Sequence, residues 1–348
     1  RGRQEYRSAT RDVARLLKEL KQENVTAVLI DLRNNGGGSL KEAIDLTGLF
    51  IDKGPVVQQR NAKGGIRVEG DADAGVAWDG PVGVLINRSS ASASEIFAAA
   101  IQDYGRGLII GEPSFGKGTV QSVVDLDQLV SSDKPRFGGL KLTIAQFFRI
   151  NGGTTQLRGV TPDILFPGVA DDETFGESSF DNPLPWMQIK AADFLPAGSV
   201  KRLLPTLLSK HEMRIKKDKD FQFLLEDIST LKVQRKKNLV SLNEAERWKE
   251  RDAQEAKIAA RQASRENRKD ARVGGKGDPA ISSVFRDDGL ESGERVLANQ
   301  LAAEKARKNA KDVFLDEAVH ILSDELELLP VSARVVTRTS LRPRPSVN

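Results

Sequence analysis

The feature that most constrains this fold is a unit that occurs twice: a nearly continuous apolar run, a turn of small or polar residues, and a helix. In the first copy the run is Val25-Thr-Ala-Val-Leu-Ile-Asp-Leu and the turn is Arg33-Asn-Asn-Gly-Gly-Gly. Its helix is Leu40 to Ile51, with Ala43, Ile44, Leu46 and Leu49 as apolar positions. In the second copy the run is Val82-Gly-Val-Leu-Ile-Asn, the turn is Arg88-Ser-Ser and the helix is Ala93 to Tyr104. Short apolar runs bounded by turn residues read as strands buried on both faces, as in a parallel sheet covered by helices. Parallel neighbours require crossover connections, so the repeated unit predicts an α/β core. Leu108-Ile-Ile adds a third short strand, and Arg7 to Lys21 reads as an amphipathic helix with Val13, Leu16, Leu17 and Leu20 on one face. Val120 to Leu126 and Leu140 to Phe148 alternate as half-exposed strands. Val160-Thr-Pro-Asp-Ile-Leu-Phe-Pro reads as an edge segment, because its prolines donate nothing to a ladder.

The character changes after this core. Asp171 to Pro185 is acidic and punctuated by Phe and Pro, and is expected to be a linker. Beyond Trp186 helix formers and charged runs dominate, ending in an amphipathic pattern from Val313 to Leu329. Lys257 to Arg272 has few apolar residues and reads as a solvated helix or arm. Val273 to Gly289 reads as loop and Arg334 to Asn348 as a fraying tail. The expected organisation of the 348 residues is therefore a core over 1–170, a linker over 171–185 and a helical, basic domain over 186–348.

The net charge of +4 is uneven. Residues 1–185 sum to about −3 and residues 186–348 to about +7, so the basic excess belongs to the helical part. It lies beside no stacking aromatics or nucleic-acid motif, and a solvated helix surface is the expectation, with no nucleic-acid partner. No apolar run approaches the ~20 residues of a membrane span. The chain begins at Arg1 and shows no signal-peptide pattern. The absence of cysteine excludes disulfides, thiolate metal sites and a cysteine nucleophile, and fits an oxidising compartment.

Two loops carry candidate chemistry. Ser92-Ala-Ser-Glu95 has capping-box spacing, and a serine there has a sufficient structural reason to exist. The same place offers free N–H groups and the positive end of a helix, which would stabilise an oxyanion beside the serine oxygen. Lys117 stands between Gly116 and Gly118; it is either an exposed loop lysine or a base whose amine is kept neutral by burial. Gly111-x-x-x-x-Gly116-Lys117 approaches a phosphate-binding loop, but Gly118 stands where Ser or Thr must hold magnesium, and Val120-Gln-Ser-Val-Val reads as strand where a helix must follow. Gly36-Gly-Gly38 is either a tight turn or a place where backbone N–H groups reach a substrate oxygen. Gln121 shares one side of an extended segment with Lys117 and Thr119. Asp103 lies eleven residues after Ser92, three helical turns and about 16 Å away, so direct contact between them is not expected.

Taken together, Asp31-Leu-Arg-Asn-Asn-Gly-Gly-Gly, Ser90-Ala-Ser-Ala-Ser-Glu-Ile-Phe-Ala-Ala-Ala, Gly111-Glu-Pro-Ser-Phe-Gly-Lys-Gly-Thr-Val-Gln and Gly159-Val-Thr-Pro-Asp resemble the carboxy-terminal processing, or tail-specific, proteases of serine peptidase family S41. The resemblance implies a spiral ββα core like that of the crotonase and Clp protease folds, followed by the helical extension of the large Gram-negative periplasmic members. It also implies a PDZ domain and an early core strand ahead of the residues present here. Position by position, it makes Ser92 the nucleophile, Lys117 the general base and Gln121 the residue that positions that lysine. The amides of Gly38 and Ala93 match the oxyanion hole, and Asp103 matches a supporting acidic residue. The implied activity is a Ser/Lys endopeptidase that cleaves proteins near an accessible C-terminus without metal or organic cofactor. A possible adaptor protein, a periplasmic location and peripheral association with the inner membrane complete the expectation. The competing readings are an inactive, protein-binding remnant of such a protease and a crotonase-like acyl-CoA enzyme, which would not require Lys117.

Overall fold

A computed structural model describes residues 7–129, 137–169, 175–198, 200–270 and 311–329. Helix α1 (Ala9–Gln22) precedes strand β1 (Val28–Asp31) and helix α2 (Leu40–Thr47). A hairpin of β2 (Gly54–Asn61) and β3 (Ile66–Asp71) follows, then β4 (Val82–Ile86), α3 (Ala93–Asp103) and β5 (Leu108–Gly111). Strands β6 (Thr119–Asp125), β7 (Gly139–Phe148) and β8 (Ile164–Leu165) complete the sheets. The remaining helices are α4 (Leu204–Lys217), α5 (Lys219–Lys237), α6 (Glu244–Asp270) and α7 (Val313–Leu328).

The repeated unit forms the expected parallel sheet. Its order is β1-β4-β5-β8, with Val28 beside Val82 and Gly83 beside Leu108. A second, antiparallel sheet has the order β3-β2-β7-β6. The β2–β3 hairpin is absent from the sequence expectation, although Ile66-Arg-Val-Glu carries the two-residue alternation of a half-exposed strand.

Helix α3 lies between the sheets, which explains its unusual composition. Phe97, Ala98 and Ile101 pack with Val82, Val84 and Ile86 of the parallel sheet. Ile96, Ala100 and Tyr104 pack with Val56, Val57 and Phe147 of the antiparallel one. A helix buried all round is apolar all round, and its run of alanines lets two sheets approach one axis.

The opposite face of the parallel sheet is covered from the far end of the chain. Leu85, Leu108, Ile110 and Ile164 pack against Leu207 of α4 and Ala318 and Ile321 of α7. Compact packing therefore divides the chain elsewhere than at the expected 1–170 and 186–348. Residues 1–229 and 313–348 form one unit, and residues 230–312 form the other. The amphipathic pattern of α7 is explained by the strand side chains it meets; composition shows where helix formers begin but not where a helix docks. In the second unit α6 is a charged helix, with the Arg251 guanidinium 3.6 Å over the Trp248 ring.

Of the expected linker over 171–185, residues 175–185 are described. Residues 175–198 form a strap bonded to the residues that follow β7: Trp186 Nε1 donates to Thr154 O at 3.0 Å, Ile189 N to Gly152 O at 2.9 Å and Ala192 N to Ile150 O at 2.9 Å. The loop expected at Val273–Gly289 and the tail at Arg334–Asn348 lie outside the described residues. Among the described residues, no helix is long and apolar enough to cross a membrane.

Candidate active site

Because β1 and β4 are parallel neighbours, the turns that follow them leave the sheet side by side. Short polar residues then stitch the two turns together. Ser90 Oγ donates to Leu32 O at 2.8 Å, Ala91 N to Asn35 O at 3.0 Å and Ser94 Oγ to Asn35 O at 3.1 Å. Asn34 N donates to Asn87 Oδ1 at 2.9 Å, and Asn87 Nδ2 returns a bond to Asn34 Oδ1 at 3.0 Å. Gly37 is the glycine this contact requires. At φ +92° a Cβ there would stand 2.5 Å from Ala91 O and 2.7 Å from Ala93 N.

Ser92 sits at the N-terminus of α3 with φ 59° and ψ −115°. A non-glycine residue in such a conformation costs on the order of 1–3 kcal/mol and persists only where its surroundings enforce it. The enforcing group is Glu95, fully buried within the first turn of α3. Its Oε2 accepts from Ser92 N at 2.8 Å and Lys117 N at 3.0 Å, and its Oε1 accepts from Ser114 Oγ at 2.6 Å and Gly116 N at 2.8 Å. One carboxylate thus holds the backbone of both candidate residues. Burial pushes the Glu95 carboxyl up to about 7, against the downward pull of those four donors. The capping-box spacing was the sequence signal for Glu95, but it showed only the link to Ser92 and nothing of the link to Lys117.

The structure brings Ser92 and Lys117 together. Lys117 Nζ donates to Ser92 Oγ at 3.4 Å and to Thr119 O at 2.9 Å. Burial pushes the amine below the usual lysine range. The Glu177 carboxylate opposes that shift, Lys141 adds to it, and Glu95 opposes it. A half-buried amine with a depressed pKa beside a hydroxyl can serve as a base toward it.

The Gly38 and Ala93 N–H groups have no hydrogen-bond partner among the described residues. Beside them opens a cavity of about 210 Å³, lined in part by Leu32, Ala43, Leu46 and Phe97. The site therefore offers a hydroxyl, an amine, two N–H donors and a recess with one apolar wall.

Gln121 and Asp103 do not join this group. Gln121 is exposed on β6, after a register shift between Val120 and Gln121 that breaks the simple alternation assumed from sequence, and it makes no hydrogen bond to Lys117. The lysine amine turns back to Thr119 O instead. Asp103 is at the other end of α3, where it accepts from Arg149 Nη2 at 2.5 Å, Arg149 Nε at 3.1 Å and Asn151 Nδ2 at 2.8 Å.

Residues 4–166 match peptidase family S41, and residues 170–327 match the C-terminal domain of tail specific protease (DUF3340). The chain is 43% identical to the tail-specific protease of Haemophilus influenzae over 322 residues, 92% of this chain and 43% of that protein. It is 42% identical to a carboxy-terminal-processing protease of Bartonella bacilliformis over 144 residues, 41% of this chain and 31% of that one. Among solved structures, the photosystem II D1 C-terminal processing protease aligns with a TM-score of 0.39 at 34% identity, over 45% of this chain and 39% of that one. The chain spans less than half the length of these relatives. Two consecutive domain matches and the Haemophilus relative together show that this chain belongs to peptidase family S41, with the C-terminal domain of the tail-specific proteases.

Proposed function

We propose that Ser92 and Lys117 are the catalytic dyad of a serine endopeptidase that cuts protein substrates near their C-termini. The observation that carries the dyad is the 3.4 Å contact between a partly buried Lys117 amine and Ser92 Oγ at a helix N-terminus. Neutral Lys117 takes the proton as Ser92 Oγ attacks the scissile carbonyl, and then gives it to the departing amine. The Gly38 and Ala93 N–H groups receive the oxyanion of the tetrahedral intermediate. Water enters with Lys117 again as base, and hydrolyses the acyl-enzyme. The cavity beside these amides, walled by Leu32, Ala43, Leu46 and Phe97 and also lined by Arg7 and Glu42, receives the side chain of the residue preceding the cut. A crotonase-like thioester reaction gives no reason for Lys117 to turn toward Ser92.

The C-terminal preference rests on the names of the relatives, which are called tail-specific and carboxy-terminal-processing proteases. A periplasmic location, supported by the cysteine-free composition, is checked by cell fractionation. Recruitment of substrates by an adaptor is checked by whether purified enzyme alone degrades the proteins that accumulate in its absence. The dyad is tested with Ser92→Ala, Lys117→Ala and Lys117→Arg in the full-length enzyme. Each is expected to lose at least about 10³-fold in kcat while keeping its far-UV circular dichroism and melting temperature. Substantial proteolysis by folded Lys117→Ala would remove the proposed base.

A further inference from the structure

The residues that the family comparison places in the C-terminal domain begin at 170, yet some of them bear on Lys117. We propose that Glu177 is a positioning residue for Lys117: through Gln156 it fixes the backbone after the lysine, and its carboxylate steadies the ammonium formed when Lys117 takes the Ser92 proton. This inference rests on the Ser92–Lys117 reading and extends it to a residue outside the S41 match.

The geometry is a relay of three groups. Glu177 Oε1 accepts from Gln156 Nε2 at 3.1 Å, and Gln156 Oε1 accepts from Gly118 N at 2.9 Å. Gln156 is fully buried, so its amide has no water to turn toward and its orientation is set by these two bonds. Gly118 follows Lys117 directly, and a Cβ there would meet Thr154 Oγ1 at 2.6 Å and Gln156 N at 2.9 Å. The loop carrying the lysine is therefore pressed against the residues that Glu177 orders.

The strap that carries Glu177 is fastened to the same loop. Glu177 N donates to Phe115 O at 3.0 Å. Arg88 bridges the two segments, with Nη1 on Ser114 O at 2.9 Å and Nη2 on Phe175 O at 2.7 Å. The Phe115 and Phe175 rings meet edge to face with centroids 5.9 Å apart. Gly176, at φ +113°, allows this approach, since a Cβ would lie 2.8 Å from Arg88 Nη2 and 2.9 Å from Phe115 O. Such fastening fixes the distance between two charges, which a freely moving linker would not do.

The charged groups that act on Lys117 are Glu177 from the strap, Lys141 from β7 and Glu95 from α3. Glu95 is the weaker source of compensation. Burial pushes it up to about 7, so it carries only part of a charge near neutral pH. Glu177, only half-buried, is the carboxylate left to balance the ammonium.

The test is the pH dependence of kcat/KM with Glu177→Gln, Glu177→Asp and Glu177→Ala in the full-length enzyme. Rate rises with pH as Lys117 loses its proton, so loss of the nearby negative charge lowers the lysine pKa. In Glu177→Gln, which keeps a side-chain oxygen for Gln156, the acidic limb is expected to move down by about one pH unit, with reduced kcat on the plateau. Glu177→Asp should restore the limb toward the wild-type position, and Glu177→Ala should lose both effects of the relay. The same displacement should appear in the titration of the Lys117 ε-carbon by NMR in a Ser92→Ala background, which needs no turnover. An unmoved limb and an unmoved ε-carbon titration in Glu177→Gln would overturn the proposal while Lys117→Ala remained inactive. Full activity in Lys117→Ala would instead sink the dyad, and the role of Glu177 with it.

Discussion

Four donors converge on one buried carboxylate at Glu95, and that places two distant loops under the control of one side chain. Glutamine cannot substitute for it. An amide offers a single acceptor oxygen, so its NH₂ group would face two donors that have no other partner. Each buried donor left unsatisfied costs about 1–3 kcal/mol. Glu95→Gln is therefore expected to lower stability by several kcal/mol and to lower kcat more than it raises KM, because the site that loses its order is the one proposed to do the chemistry. Thermal unfolding and steady-state kinetics on the same preparation check this. A variant with wild-type melting temperature and reduced kcat would assign Glu95 a role in charge rather than in placement. The strained Ser92 backbone makes the same argument from the other side, since φ 59° is held only while Glu95 binds the Ser92 N–H.

Helix α3 is fixed at both ends, and its far end explains Asp103. The Asp103 side chain is 5% exposed and that of Arg149 is 16% exposed, so their pair is largely desolvated. Removing one partner of such a pair leaves a buried charge and costs about 3–5 kcal/mol. Asp103→Ala is expected to destabilise by that amount, and Asp103→Ala with Arg149→Ala should cost less than the sum of the two single changes. The expected effect on proteolysis follows from any displacement of α3, since Ser92 stands at its other end. Arg149 follows β7 directly, so this pair was beyond a reading of single segments, as was the hairpin β2–β3 on which β7 pairs. What was legible had local periodicity: the parallel strands, the helices α1 to α3 and the glycine-flanked turns. The pairing of Ser92 with Lys117 was legible through the family resemblance, since each local motif alone left a structural and a chemical reading open. Glu95, Gln156 and Glu177 were not legible as a group, because their meaning lies in bonds spanning 19 to 38 residues.

At the scale of the whole molecule, the two matched sequence domains do not correspond to two independent cores. Helices α4 and α7 cover the face of the parallel sheet formed by Leu85, Leu108, Ile110 and Ile164. Exposing such side chains costs roughly 1.5–3 kcal/mol each, enough together to exceed the margin of an ordinary domain. A chain ending at residue 185 is accordingly expected to lack a cooperative thermal transition and to be rapidly digested by trypsin. Helix α7 also carries Glu325, which is 1% exposed and whose Oε2 has no hydrogen-bond partner among the described residues. Arg106 is the cation that acts on it; its guanidinium donates to Phe50 O, Trp78 O and Gly80 O, and burial pushes it down to about 10 while Glu325 and Asp79 pull it back up. Burial pushes the Glu325 carboxyl up to about 7 from its ordinary 4.5, with Arg106 pulling it down. A carboxyl raised on folding contributes stability that is complete below its unfolded pKa and is lost as pH rises through the folded one. The window is therefore pH 4.5 to 7, and its full span corresponds to roughly 3 kcal/mol. Glu95 titrates in the same window, so the wild-type protein should lose stability between about pH 4.5 and 7, and Glu325→Gln should remove about half of that slope without lowering stability at the acidic end of the window. Urea titrations at a series of pH values measure it, and an unchanged slope in Glu325→Gln would show that α7 accommodates the charge by moving rather than by taking up a proton.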